Sequence, residues 1–151
     1  MKGINIGRVV LGGLLAGLVM NIGEYILNVP ILGAQWAAAM EARNVQEPAS
    51  AVVGYVLMTF ILGIGMVYLY AAIRPRYGPG VRTAICSGLF VWFFAWLCSF
   101  GSTIFSGILP ANLVVISLIW GVVEVPLAAV AGAWVYKEEE PAAVTAGIAA
   151  A

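Results

Sequence analysis

The chain contains no histidine. That absence excludes haem or bacteriochlorophyll held by imidazole and the usual histidine-built zinc and iron sites, so no cofactor is expected. It also removes the commonest general base at neutral pH. Charge is almost as scarce: 9% of residues are Asp, Glu, Lys or Arg, against about a quarter in a water-soluble domain. So few charges cannot cover a globular surface, and lipid has to be the solvent for much of the chain. The formal net charge is zero, which leaves no electrostatic case for nucleic acid. Only two cysteines occur, Cys86 and Cys98, both within one apolar stretch. On a helix they stand roughly 18 Å apart, beyond disulfide reach, and they read as small buried apolar residues. No nucleophile, base and metal set converges, so an enzyme is the weakest functional reading.

What is plentiful is apolar surface. Hydrophobic residues make up 63% of the 151 positions, and the mean hydropathy is +1.03. Four apolar stretches, at about 8–27, 51–73, 83–106 and 112–136, each approach or exceed the ~20 residues that cross a bilayer as helix. The first follows Lys2 and Arg8 like a signal peptide, yet runs into Asn21-Ile22-Gly23-Glu24 without a small-x-small cleavage site, and is read as a retained helix. The expected fold is all-α, an integral membrane four-helix antiparallel bundle over 1–137. An acidic and then Ala-rich cytoplasmic tail follows over 138–151.

Basic residues set the expected orientation. Lys2 and Arg8 precede the first span, Arg74, Arg76 and Arg82 fill the second loop, and Lys137 follows the last span. The first loop has Arg43 alone, beside Glu41 and Glu47, and the third has none. The positive-inside rule then places both termini in the cytoplasm. Within the long outer loop 29–50, residues Gln35–Ala42 read as a short interfacial helix, with Trp36 and Met40 on one face. Ser50 and Asn112 are candidate N-caps, and Arg74–Arg82, rich in Pro and Gly, reads as a tight inner loop.

Two carboxylates lie inside the spans, Glu24 and Glu124. A charge at the bilayer centre costs at least about 2.5–3.5 kcal/mol, so each is a candidate functional group. At 100° per residue Gly13, Gly17, Asn21, Glu24 and Asn28 share one face of the first helix, with Tyr25 beside it. Ser117, Gly121, Glu124, Ala128 and Ala131 share a side of the fourth helix, near Pro126. Gly13, Gly17 and Gly121 are candidate helix-packing residues, and these two small-residue faces are expected to meet, with Asn21 level with Glu124. Asn21, Glu24, Tyr25, Asn28 and Glu124 form a candidate intramembrane polar site. Structural hydrogen bonding and proton or cation binding are both open for it.

In the third helix Trp92, Trp96 and Phe100 form a candidate aromatic wall that suits either packing or an organic cation. Tyr68, Tyr70, Tyr77, Trp134 and Tyr136 fit an inner interfacial belt. Arg74, Arg76 and Arg82 are candidate contacts for lipid head groups, besides enforcing topology.

The run Tyr70-Ala71-Ala72-Ile73-Arg74-Pro75-Arg76-Tyr77-Gly78-Pro79-Gly80, with Trp120-Gly121-Val122-Val123-Glu124-Val125-Pro126-Leu127, resembles small bacterial four-helix membrane proteins of unknown function. The resemblance covers most of the chain and implies a fold and a place in a bacterial inner membrane, without an activity. More distantly, the chain is similar to small multidrug resistance transporters, whose functional first-helix glutamate would correspond to Glu24. The stretch Ser99-Phe100-Gly101-Ser102-Thr103-Ile104-Phe105-Ser106 resembles the third helix of fluoride channels. Both of those families form dual-topology dimers, whereas the charge bias here points one way. Two functions are therefore expected to compete: an accessory membrane subunit packing through glycine faces, or a small carrier or channel using Glu124 and Glu24. Expected partners are membrane lipids, other membrane subunits or a second copy of the chain.

Overall fold

The computed structural model describes residues 3–138; Lys2 and the tail beyond Glu138 lie outside them. The described residues form helices and no strand. α1 (Ile6–Ile26) widens into a π-turn at Leu27–Ile31 and is followed by α2 (Gly33–Glu41) and α3 (Ala51–Tyr77). α4 (Val81–Trp92) runs on as π-helix over Phe93–Phe100 and 3-10 helix over Gly101–Ile104, and α5 is Ala111–Val135. Four runs are long and apolar enough to cross a membrane: Ile6–Ile31, Ala51–Tyr77, Val81–Ile104 and Ala111–Val135. The short helix in the first loop is present as α2.

Local chemistry explains where the helices start and stop. Asn5 caps α1, its side-chain oxygen accepting the Arg8 N–H at 3.0 Å. Pro30 has no N–H and crowds the preceding turn, which should end the helix near Leu27. The chain widens instead, and the Leu32 N–H reaches the Leu27 carbonyl at 2.8 Å. α3 likewise outlasts the expected end at Ile73. Arg74 and Arg76 sit in its last turn, where the helix dipole favours cations. Gly78 then turns left-handed at φ 83°, its N–H bonding the Arg74 carbonyl at 2.9 Å. The inner turn is thus only Gly78–Gly80, held by the Thr83 hydroxyl on the Gly78 carbonyl at 2.7 Å and the Gly80 N–H on the Tyr70 hydroxyl at 3.2 Å. Ser50 precedes α3 without a side-chain capping bond, and Asn112 is not a cap, since Pro110 holds that place.

α1 is the hub, packed on α3 and α5, while α4 packs on α5 and α3. Small residues let the backbones close up. A Cβ on Gly12 would sit 2.5 Å from the Gly132 carbonyl of α5. Gly13 and Gly17 correct an expectation: they lie under Ile64 and Phe60 of α3, not against the last helix. Around these contacts Ala16, Met20, Met66, Val67, Ala84 and Ala128 are fully buried. Outward-facing positions remain apolar, among them Leu11, Leu14 and Leu18 of α1, Phe90 and Phe94, and Ile119, Val123 and Leu127 of α5.

Three further expectations are corrected. Cys86 and Cys98 are free and exposed, because they share the outward, apolar side of the third span. Tyr70 and Tyr136 are buried, packed edge to face with ring centres 5.9 Å apart, whereas Tyr68, Tyr77 and Trp134 are exposed. Arg74 Nη1 lies 3.2 Å from Glu138 and its guanidinium stacks over Tyr136 at 5.7 Å, so it is engaged within the chain. Arg76 and Arg82 remain exposed.

Candidate functional site

Glu24 and Glu124 come together. Glu124 is 7% exposed, and its carboxyl rests directly on the Cα of Gly23, so closely that any side chain there would collide with it. The face of α1 that α5 covers is thus Gly12, Ala16 and Gly23, one residue round from the expected stripe. Glu24, next in the chain, is half-buried. Its carboxyl lies within Coulombic reach of Glu124, and its backbone N–H points towards the Glu124 carboxyl.

Hydrogen bonding around the two acids is unequal. Asn28 Nδ2 donates to Glu24 Oε2 at 2.6 Å and to the Glu24 carbonyl at 3.0 Å. Asn28 in turn accepts the Trp36 indole N–H on its Oδ1 at 3.0 Å. The Trp96 indole also lies beside the Glu24 carboxyl. Glu124 has far less. Both its oxygens are shielded from solvent, and neither makes a hydrogen bond of ordinary geometry. The Trp120 indole, one helical turn back, lies beside it, and that N–H is equally short of a well-formed bond. The acceptor and donor are present together but misaligned.

The aromatic surround is built on Gly121, where an added Cβ would sit 2.9 Å from Trp96 Cδ1 and 3.1 Å from Trp92 Cδ1. The absence of a side chain at Gly121 lets both indoles lie against α5. Trp92 spends its N–H on the Leu118 carbonyl at 3.1 Å, while Trp96 is left facing Glu24. Four of the five tryptophans, Trp36, Trp92, Trp96 and Trp120, therefore converge on this region. Both π-helical segments flank it, Leu27–Ile31 just beyond Glu24 and Phe93–Phe100 carrying Trp96. Such turns widen a helix at the cost of regular hydrogen bonding, and they recur at functional sites.

The remaining candidates fall elsewhere. Asn21 does not reach Glu124: its Nδ2 donates back to the Gly17 carbonyl at 2.9 Å and towards the Val56 carbonyl of α3 at 3.5 Å. Tyr25 is 63% exposed and points out of the bundle. Phe100 is half-buried, in the same π-helical segment as Trp96. Trp36 was expected to face the membrane interface, and it turns inward instead, against Leu27, Leu32 and Leu113. Sequence reasoning missed it and Trp120 as neighbours of the acids. The i, i+4 spacing of Trp120 and Glu124 was a usable signal, but nothing local ties Trp36 to Asn28. Among the described residues no three His, Cys, Asp or Glu side chains gather as a metal cage would require. The chain matches no protein-family model, and neither a curated protein nor a solved structure was found to be similar to it.

Proposed function

We propose that Glu24 and Glu124 form one proton- or small-cation-binding site in a multi-pass carrier or channel of a bacterial inner membrane. The observation that carries this reading is the seat of Glu124: a shielded carboxyl, pressed on Gly23 beside a second carboxyl, with no well-formed hydrogen bond. Two carboxylates so placed in apolar surroundings cannot both carry bare charge, and a proton or a cation has to accompany them. The close contact on Gly23 favours a small occupant over an organic cation. Trp96, Trp120 and Asn28 orient the two acids and exclude water from them.

The bilayer is part of the proposal. Leucine, isoleucine and phenylalanine face outward along the spans, an arrangement suited to lipid and a liability in water. In that setting the helices cross antiparallel, with the basic ends, Arg8, Arg74, Arg76, Arg82 and Lys137, on the cytoplasmic side. Arg76 and Arg82 are then free for lipid phosphates.

The accessory-subunit reading keeps one observation in its favour. Gly13, Gly17 and Gly121 are covered by the chain's own helices, but Gly54 and Gly65, three turns apart on α3, have open space above them. A partner helix would fit there.

The test is flux in proteoliposomes holding the purified protein, driven by a pH gradient or a potential. Wild type should conduct protons or a small cation. Glu124→Gln keeps the size of the side chain and should reduce that flux to the empty-vesicle level while leaving the fold intact. No flux from wild type, or equal flux from Glu124→Gln, would defeat the proposal.

A further inference from the structure

We infer that α2 is a removable cover over Glu24, and that Trp36 is the latch that holds it shut. The inference rests on reading Glu24 as a working group and adds how that group is reached.

The cover is attached at few points. None of the residues of α2 is buried, and its one extensive contact is with the π-turn Leu27–Ile31 that leads into it. Residues 41–50, which return the chain to α3, are all exposed. What docks α2 is Trp36, helped by Ala39, against Leu27, Leu32 and Leu113. Segments held by so few apolar contacts open at a small fraction of the global unfolding free energy.

The latch and the site are one hydrogen-bonded chain. Trp36 Nε1 donates to Asn28 Oδ1 at 3.0 Å, which leaves the Asn28 amide N–H groups turned to Glu24, 2.6 Å from Oε2. Lifting α2 removes that bond and uncovers Leu27 and Leu32. It also frees Asn28 to rotate away from Glu24. The hinge is available where the chain is already irregular, at Pro30 inside the π-turn and at Leu32, where the π-turn gives way to α2. Trp36 is accordingly a positioning residue, acting on Glu24 through Asn28, and a gate on the α2 side of the bundle.

The experiment measures reach, not flux, and so stands apart from the test of the carrier reading. Purified protein in detergent is treated with a water-soluble carbodiimide and an amine, and modification of Glu24 and of exposed Glu47 is followed by peptide mass spectrometry. In wild type Glu24 should react far more slowly than Glu47. Trp36→Ala should raise the Glu24 rate roughly tenfold, the change in an opening equilibrium that follows from about 1.4 kcal/mol of lost anchoring. Trp36→Phe keeps the apolar anchor and loses the N–H, so its Glu24 rate should lie between the two. Glu47 serves as the internal standard throughout. Equal Glu24 rates in wild type and Trp36→Ala would overturn the latch, as would a wild-type Glu24 as reactive as Glu47.

Discussion

The two halves of the bundle are packed on different principles. In the half nearer the Gly78–Gly80 turn, helices meet backbone to backbone: Gly12 on Gly132, and Gly88 on Pro126 and Ala129. The helices there are regular, and the buried side chains are small or aliphatic apart from the Tyr70–Tyr136 pair. In the half nearer α2, two helices widen into π-turns, four indoles gather, and the only buried glutamate among the described residues stands on Gly23. Regular close packing gives a rigid frame with no buried carboxyl in it. The irregular half gives up regular hydrogen bonding and holds the groups capable of chemistry. A bistable or ligand-binding region is expected where local stability is lowest, and the proposed site lies on the α2 side.

Glycine substitutions are the sharpest way to break that contrast. Gly132→Leu should have the largest effect, because a side chain there meets Val67, the Gly12 carbonyl and Ala16, and backbone cannot yield. Overpacking of this kind costs about 1–3 kcal/mol or more, and it should appear as a clear fall in Tm in detergent, or as failure to accumulate. Gly23→Ala should behave differently. Its new methyl meets the far end of the flexible Glu124 side chain, which can swing aside. Stability should fall by less than about 1 kcal/mol, while the proposed flux should be lost with the carboxyl displaced. Equal destabilisation by the two substitutions would erase the distinction between the halves. The smallest effect is expected outside both: Cys86→Ala with Cys98→Ala should change stability by no more than about 0.5 kcal/mol, since both thiols face outward.

Much of the frame was legible in the sequence because it depends on run length and composition. The four apolar stretches map onto four helices whose bounds differ by a few residues, and the two largest differences occur at Pro30 and Pro75. Pro30 and Pro75 lie inside helices, one absorbed by a π-turn and one so near the helix end that its missing N–H takes a helical donor only from the Ala71 carbonyl. The acids were legible too, since a glutamate in an apolar run stands out against its cost. Their company was not. A helical wheel put Asn21 and Glu24 on one face, but close packing at Gly12 and Gly13 divides α1 between α5 and α3, and Asn21 falls on the α3 side. Trp36 could not be assigned from its own helix, because its partner, Asn28, lies across an irregular turn whose path no local periodicity encodes.

The central claim is that Glu24 and Glu124 act as one unit, and infrared spectroscopy reads it most directly. Carboxyl C=O bands would be followed through a pH titration of the reconstituted wild type, Glu24→Gln and Glu124→Gln. Coupled acids titrate as a pair, with apparent values that belong to neither residue alone. Removing Glu24 should therefore move the titration of the remaining Glu124 band, and removing Glu124 should move that of Glu24. Two bands that titrate independently, each single variant losing one and leaving the other unchanged, would contradict the account.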